Sequence, residues 1–378
     1  MNISKVAILP LGFKASAIAS GIKKSGKLDL ALFYSLLPAK ASCRFTANRI
    51  KAAPIKVNKK HLMAGNNFQA IIVNSGNANA FTGPAGFKDA EETAKAMAEI
   101  LSLKKREVLV NSTGIIGKRL PVSRIKKVIL PLVKGLSVSG ISAASKAIMT
   151  TDTFAKGATA KFNIGDKTVT ICGIAKGAGM IAPNMATMLC FILTDADITQ
   201  NALNKAVAVS VDNSFNCITV DGCMSTNDSV MVLANGAAGN ASIGTNSNFN
   251  VFLNGLQEVC LRLAKMVVKD AEGATKFIKI TVHGARNLKD AKLAALSIAN
   301  SNLFKAAVYG ENPNFGRIVS ALGASNASVK EELLKIKVSP LSRREINVDV
   351  SLGVGKSRAV VYTSDLTPEY IRINAEYN

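Results

Sequence analysis

The chain is poor in histidine. Only two occur among its 378 residues, His61 and His283, and neither lies near another plausible metal ligand in the sequence, which argues against a zinc site. The same scarcity argues against a Ser-His-Asp or Cys-His catalyst, since one of the two histidines would have to serve as the base. We therefore expect no metal and a chemistry that does not depend on histidine.

Paired cysteines, an export signal and long apolar runs are also missing. No C-x-x-C pair occurs, the N-terminal apolar run is broken by Pro10, and no stretch approaches the roughly 18 apolar residues of a membrane span. We expect a cytoplasmic protein. Its six cysteines are expected to be reduced and buried: Cys43, Cys172, Cys190, Cys217, Cys223 and Cys260.

Acidic residues are few relative to basic ones, so the formal net charge is +22. Such an excess raises the hypothesis of nucleic-acid binding. The basic residues are spread in ones and twos, however, with no basic block and no alternation with aromatic residues. This spacing favours a solvated lysine surface, whose positive field would attract anionic small molecules.

Strand-like and helix-like segments alternate imperfectly along the chain. Segments 69–83 and 107–117 are apolar runs that end in glycine-rich loops, and 161–177 predicts a hairpin that turns at Gly165-Asp166. The pattern favours a mixed sheet with layers of helices. Helices are predicted over 85–103, 198–215 and 249–273, and further strands over 275–285, 346–353 and 357–365.

Four loops are unusually rich in Gly, Asn, Ser and Thr. Their sequences are VNSGNANAFTG (73–83), VNSTGIIG (110–117), IAKGAGMIAPNMAT (174–187) and NCITVDGCMSTND (216–228). Such loops expose backbone N–H groups and hydroxyls, which is what binding an anion or an oxyanion requires. Turns use the same residues, so one such loop is weak evidence, whereas four together indicate a site.

Thr187 lies where the third of these loops becomes the apolar run TMLCFIL. It could be an ordinary strand residue, because threonine has good β-propensity. As a nucleophile it would need a base, and the economical one is its own α-amine, whose pKa of about 7.7–8.0 lies near neutrality. That requires cleavage of Ala186–Thr187: the Thr187 hydroxyl attacks the Ala186 carbonyl to form an ester, and water then frees the amine.

Several segments resemble those of one family. In family order they are GFKASAIASGIK, VNSGNANAFTG, NSTGIIG, MTTDT, KGAGMIAPNMATML, ITVDGCMSTND, KDAEGATK, GENPNFGR and INAEY, and together they span nearly the whole chain. They resemble the ornithine acetyltransferases, which are the glutamate N-acetyltransferases of arginine biosynthesis. The resemblance implies a double displacement: the threonine takes the acetyl group of N-acetylornithine, releases ornithine, and passes the acetyl group to glutamate. Some members also accept acetyl-CoA.

The resemblance also implies roles for individual residues. Thr187 corresponds to the nucleophile, Ala186–Thr187 to the cleavage site, and Thr113 with Gly114 to the oxyanion hole. Substrate contacts are implied for Thr150, Lys176, Thr187, Glu272 and Asn374. From charge we infer that Lys176 meets the substrate carboxylate and Glu272 the far ammonium of ornithine. Without the resemblance, the substrate contacts other than Thr187 would be ordinary surface, loop or helix-end residues, and Thr113 could cap a helix that starts near Ile115.

The implied architecture is a layered α-β-β-α sandwich with mixed sheets. Chains 1–186 and 187–378 would both contribute to the active site, stay together after cleavage, and pair as a heterotetramer, with no bound organic cofactor. The chain departs from the family pattern at Phe81, Cys223 and Phe315. It also stops at Asn378, so a C-terminal Ser or Thr contact to substrate is expected to be missing.

Alternatives remain open at this point. A hydrolase with an N-terminal nucleophile, such as an amidase or aminopeptidase, fits the cleavage argument equally well and would release acetate instead of N-acetylglutamate. A basic nucleic-acid-binding protein would show salt-sensitive binding and an uncut chain. A nucleotide-binding oxidoreductase is suggested only by G-A-G-M, which lacks the G-x-G-x-x-G spacing.

Overall fold

A computed structural model describes residues 1–182, 188–245 and 247–376. Two compact units divide these residues. The first comprises the described residues of 1–177, 188–214 and 224–263, and the second those of 178–182, 215–223 and 264–376.

Strands and helices alternate along the first unit. Its strands are β1 (Asn2–Ser4), β2 (Phe13–Ile18), β3 (Leu30–Phe45), β4 (Phe68–Asn77), β5 (Val108–Ile115), β6 (Lys156–Ile164), β7 (Lys167–Lys176), β8 (Leu189–Thr194) and β9 (Ser229–Ala234). Its helices are α1 (Ala53–Ala64), α2 (Gly83–Leu101), α3 (Val122–Lys134), α4 (Ile141–Ala147), α5 (Gln200–Asp212) and α6 (Ser247–Lys269), whose last residues belong to the second unit.

Strand β3 is shared by two sheet layers. Its first half pairs with β2 and β4, and its second half pairs with β9 after a register shift between Tyr34 and Ala39. The strand order in the described residues is β1-β6-β7-β8-β9-β3-β4-β5, with β2 beside β3. The β4–β5 and β8–β9 pairs are parallel and the others antiparallel, so the sheet is mixed as predicted.

Alternation along the strands divides the core of the first unit into layers. Phe33 of β3 and Phe191 of β8 stack with ring centroids 5.2 Å apart in the apolar layer between the sheets. Leu32 and Ile72 face the other way, against α1, α2 and α3. On the outer side of β7, Gly173 leaves room for Val259 of α6. The order is helices, sheet, sheet, helix, which confirms the α/β sandwich.

The second unit is built on a smaller sheet. Its described strands are β10 (Phe277–Ala285), β11 (Lys335–Val338), β12 (Glu345–Ser351) and β13 (Ser357–Ser364), in the order β11-β12-β10-β13. Its helices are α7 (Leu288–Ala299), α8 (Asn302–Tyr309), α9 (Gly316–Gly323) and α10 (Pro368–Glu376). Apolar residues of α7, α8 and α9 pack against this sheet and form the core of the unit.

Most local predictions agree with the structure. β6 and β7 form the predicted hairpin, with Gly165 at φ +61° in its turn. One expectation is wrong in part: Cys223 is exposed and Cys43 half-buried, while the other four cysteines are buried. Cys223 lies in a polar turn between two short elements, where its side chain has no core to enter. Among the described residues, no helix is long and apolar enough to cross a membrane.

Candidate active site

Lys176 joins two of the predicted site residues in the first unit. It is the last residue of β7 and only 4% exposed. Its Nζ donates to Thr150 Oγ1 at 2.6 Å and to Thr113 Oγ1 at 3.3 Å. An ammonium can only donate, so each threonine hydroxyl accepts from Lys176 and keeps its own O–H to donate elsewhere. The arrangement presents hydroxyl donors beside a fixed positive charge, which suits an anion or an oxyanion.

Asp152 supports this lysine from a buried position. Its carboxylate accepts from Lys156 Nζ at 2.6 Å, the Gly177 amide at 2.6 Å and the Thr150 amide at 2.9 Å, and lies 4.0 Å from Lys176 Nζ. Burial alone would raise the pKa of Asp152, but the charges of Lys176 and Lys156 and the hydrogen bonds outweigh it and lower this pKa to about 2. Asp152 therefore stays ionised and fixes the backbone at Thr150 and at Gly177, the residue after Lys176.

Three of the four polar loops meet in the first unit at Asn227. Its Nδ2 donates to Ala78 O and to Ser112 O, both at 2.7 Å, which links the loop after β4 to the end of β5. Ser112 precedes Thr113, so this contact fixes the strand segment that carries the predicted oxyanion donor. The structure thus brings these three loops into contact, and their role in one site stays a prediction.

Gly114 could not be another residue without a rearrangement. Its φ is +129°, and an added Cβ would lie 2.4 Å from the Gly76 carbonyl carbon and 2.5 Å from the Asn77 nitrogen. The close approach of β4 and β5 at this point places Thr113 near the end of both strands. Thr113 does not cap a helix, because β5 continues to Ile115.

A cavity of about 540 Å³ opens beside Thr150. Thr150 and Asp152 line this cavity together with three lysines and two apolar side chains. The lysines are Lys23, Lys27 and Lys146, and the apolar side chains are those of Met149 and Phe154. Lys23 Nζ donates to the carbonyls of Leu28 and Met149, and burial lowers its pKa. The positive lining favours an anionic ligand of small-molecule size.

Glu272 and Asn374 come together in the second unit. Asn374 Nδ2 donates to Glu272 Oε2 at 2.8 Å, and the Glu272 amide donates to Ala178 O at 3.0 Å. A Cβ at Gly179 would lie 2.2 Å from the Glu272 carboxylate, so a larger residue there would displace this carboxylate from its present position. Glu272 follows the end of α6, close to where the sequence places a helix end.

Asp221 fixes the chain that leads to the predicted cleavage site. Its two carboxylate oxygens accept from Met180 N at 2.6 Å and from Ile181 N at 2.9 Å, and Tyr370 Oη donates to it at 3.1 Å. Burial and the charge of Asp221 raise the pKa of Tyr370, which keeps this phenol a donor. Nearby, Lys305 is buried and donates to Val220 O.

The structure locates most but not all of the predicted site residues. It brings Thr113, Gly114, Thr150 and Lys176 together in one unit and pairs Glu272 with Asn374 in the other. Ala186 and Thr187 lie outside the described residues. The roles of all eight residues stay predictions.

Sequence reasoning missed the carboxylates around the site. Asp152 lies inside the MTTDT segment and Asp221 and Asp228 inside the fourth polar loop, so they were in view without being assigned a role. A polar loop residue gives no sign of whether its side chain turns inward. What marks them is the burial of Asp152 and Asp228 and the hydrogen bonds that the three carboxyl groups accept from Gly177, Met180 and Met188.

Fold and site together define a layered α/β protein with a buried lysine–hydroxyl centre suited to acyl transfer. The model of the ArgJ family matches residues 14–378, and the chain belongs to this family. The predicted family is thereby confirmed, and with it the predicted enzyme class, an ornithine acetyltransferase.

Relatives match over nearly their whole length. The arginine biosynthesis bifunctional protein ArgJ of Geobacter sulfurreducens is 45% identical over 97% of this chain and 98% of its own. The mitochondrial ArgJ of Dictyostelium discoideum is 41% identical over 100% of this chain and 94% of its own. Among solved structures, ornithine acetyltransferase complexed with ornithine from Mycobacterium tuberculosis is 40% identical, covering 48% of this chain and 97% of that chain, with a TM-score of 0.45.

Proposed function

We propose that the protein transfers an acetyl group from N-acetylornithine to glutamate through an acetyl ester on Thr187, after self-cleavage of Ala186–Thr187. The observation that carries the proposal is the contact of buried Lys176 with both Thr113 and Thr150. In acyl transfer, charge develops on the carbonyl oxygen of the tetrahedral intermediate, and preorganised donors lower the barrier most effectively. The proposed arrangement supplies such donors.

The proposed reaction gives distinct roles to Thr113, Gly114, Lys176 and Thr187. Thr113, with the backbone at Gly114, stabilises the oxyanion, and Lys176 attracts the substrate carboxylate while it orients the Thr113 and Thr150 hydroxyls. The free α-amine of Thr187 accepts the hydroxyl proton when Thr187 attacks the acetyl carbonyl, and returns a proton to the leaving amine of ornithine. Glutamate then attacks the ester, and the Thr187 hydroxyl is restored.

The charges of Glu272 and of the lysine-lined cavity support the proposal that ornithine and glutamate bind here. Glu272 offers a carboxylate for the side-chain ammonium of ornithine, held by Asn374. The lysine-lined cavity beside Thr150 suits glutamate and, as a second acetyl donor, acetyl-CoA, both of which are anionic. We further propose that chains 1–186 and 187–378 remain associated as a heterotetramer, which native mass spectrometry would test.

The experiment is an intact-mass spectrum of the purified protein with and without N-acetylornithine. We expect two chains that divide between Ala186 and Thr187, with one acetyl group added to the second chain on exposure to substrate. A chase with glutamate should remove the acetyl group and yield N-acetylglutamate. Thr187→Ala is the control and should give one uncut chain.

Two other outcomes would contradict the proposal. Cleavage with release of free acetate and no N-acetylglutamate would indicate a hydrolase with an N-terminal nucleophile. A single uncut chain that is inert to substrate would make Thr187 an ordinary strand residue.

A further inference from the structure

Asp228 is a buried carboxyl group that the proposed reaction does not use. It is 1% exposed and immediately precedes β9. Its Oδ1 accepts a hydrogen bond from Met188 N at 3.0 Å, and Met188 O accepts one from Ser229 N at 3.1 Å. Both backbone polar groups of Met188 are therefore fixed by two consecutive residues of the chain that enters β9.

The second oxygen of this carboxyl group is available. Asp228 Oδ2 is buried and has no hydrogen-bond partner among the residues that the structure describes. Burial raises the pKa of Asp228 well above its usual range, although interactions with the Thr46 side chain and the Met188 amide and the charge of Lys176 oppose the shift. A buried polar atom without a partner is costly, so it points to a ligand or a function.

Covalent geometry relates this contact to the predicted nucleophile. The nitrogen of Met188 is bonded to the carbonyl carbon of Thr187, so the hydrogen bond to Asp228 holds the peptide group that follows Thr187. We propose that Asp228 is a positioning residue for Thr187, and that its carboxyl group fixes the Thr187–Met188 peptide for self-cleavage and for acetyl transfer. The inference rests on the proposed function.

The role that the geometry assigns to Asp228 requires only an acceptor oxygen for the Met188 amide. Asparagine has the same shape and carries the same acceptor oxygen without charge, so it should replace Asp228 in this role.

Asp195 provides a matched control. It is also 1% exposed, it directly follows β8, and burial raises its pKa as well. Its carboxyl group accepts from Leu11 N and Thr170 N, at the other end of the strand from Met188. Removal of either carboxyl group leaves backbone amides without this acceptor, but only Asp228 accepts from the amide that follows the proposed nucleophile in the chain.

The test compares wild type, Asp228→Asn, Asp228→Ala and Asp195→Ala as full-length chains. Cleavage is followed by pulse-labelling during cell-free synthesis, acetylation of the cleaved protein by rapid-quench intact mass, and stability by the unfolding midpoint. We expect Asp228→Ala to slow both cleavage and acetylation about tenfold or more, because the Met188 amide loses its acceptor. Asp228→Asn should stay within a few-fold of wild type. Asp195→Ala should lower the midpoint without slowing either step.

Three results would overturn the inference while leaving the proposed function intact. These are wild-type rates in Asp228→Ala, equal slowing in Asp195→Ala, and slowing in Asp228→Asn as large as in Asp228→Ala. If wild type itself is not cleaved at Ala186–Thr187, the proposed function fails, and the inference fails with it for that separate reason.

Discussion

The two units hold their charged site residues in different ways. In the first, the side chains of Asp152 and Lys156 are 0% exposed and that of Lys176 is 4% exposed. In the second, Glu272 is half-buried and its partner Asn374 is exposed. Burying charges is costly unless they are paired and hydrogen-bonded, as they are here. The difference indicates that the first unit provides fixed electrostatics and the second an adaptable contact.

The largest expected effect comes from breaking the buried pairing. Asp152→Asn removes the carboxylate that pairs with the buried ammonium of Lys156 and lies 4.0 Å from that of Lys176, which should lower the free energy of unfolding by about 3–5 kcal/mol. Urea denaturation measures this change. Asp166→Asn, which removes an exposed partner of Lys167, is the control and should have no measurable effect. A loss for Asp152→Asn as small as that of the control would contradict the distinction between buried and exposed charges.

Removal of one donor hydroxyl should affect turnover more than stability. Thr113→Ala eliminates the hydroxyl that Lys176 contacts, and kcat should fall about a hundredfold or more if that hydroxyl stabilises the oxyanion. Thr113→Ser retains the hydroxyl and should preserve most of the activity. Steady-state kinetics of N-acetylglutamate formation provide the measurement. Unchanged turnover in Thr113→Ala would exclude this role.

Lys305, a buried lysine of the second unit, should take up a proton when the protein unfolds between pH 8 and 10.5. Burial lowers the pKa of Lys305 from 10.5 to about 8, against the attraction of Asp221 and Asp365. Between these values the folded state has lost its proton and the unfolded state has not, so stability rises with pH and gains up to about 3 kcal/mol by pH 10.5.

The comparison with Lys305→Met isolates this titration. Urea denaturation at each pH measures the free energy of unfolding of wild type and of the variant. Between pH 8 and 10.5, this free energy should rise for wild type relative to the variant. A difference that does not depend on pH would show that Lys305 is not desolvated as described.

The smallest expected effect comes from the half-buried Glu272 and its exposed partner Asn374. Glu272→Gln should raise KM for N-acetylornithine about fivefold, because an attraction that water partly screens is worth about 1 kcal/mol. KM for glutamate, which has no side-chain ammonium, and the unfolding midpoint should not change. Glu369→Gln, which removes an exposed partner of Arg372, is the control. Equal changes in KM for both substrates would argue against the pairing of Glu272 with the ornithine ammonium.

The sequence alone was sufficient for much of the fold. Apolar alternation and helical spacing predicted the β6–β7 hairpin, α2, α5, α6 and the strands β10, β12 and β13 of the second unit, because these patterns reflect local backbone geometry. The short strand β11 was not predicted. The expectation for Cys223 failed, because residue type gives only an average tendency to be buried and the turn around Cys223 has no core beside it.

For the site, the sequence determined which loops carry polar groups and which family the chain belongs to, since both are properties of residue order. It did not determine which carboxylates turn inward. Asp152 and Asp228 resemble any loop aspartate until the strands pair and enclose them. Only the tertiary structure decided that Lys176, Thr113 and Thr150 meet, because they come from three distant segments and their contact depends on the packing of whole layers.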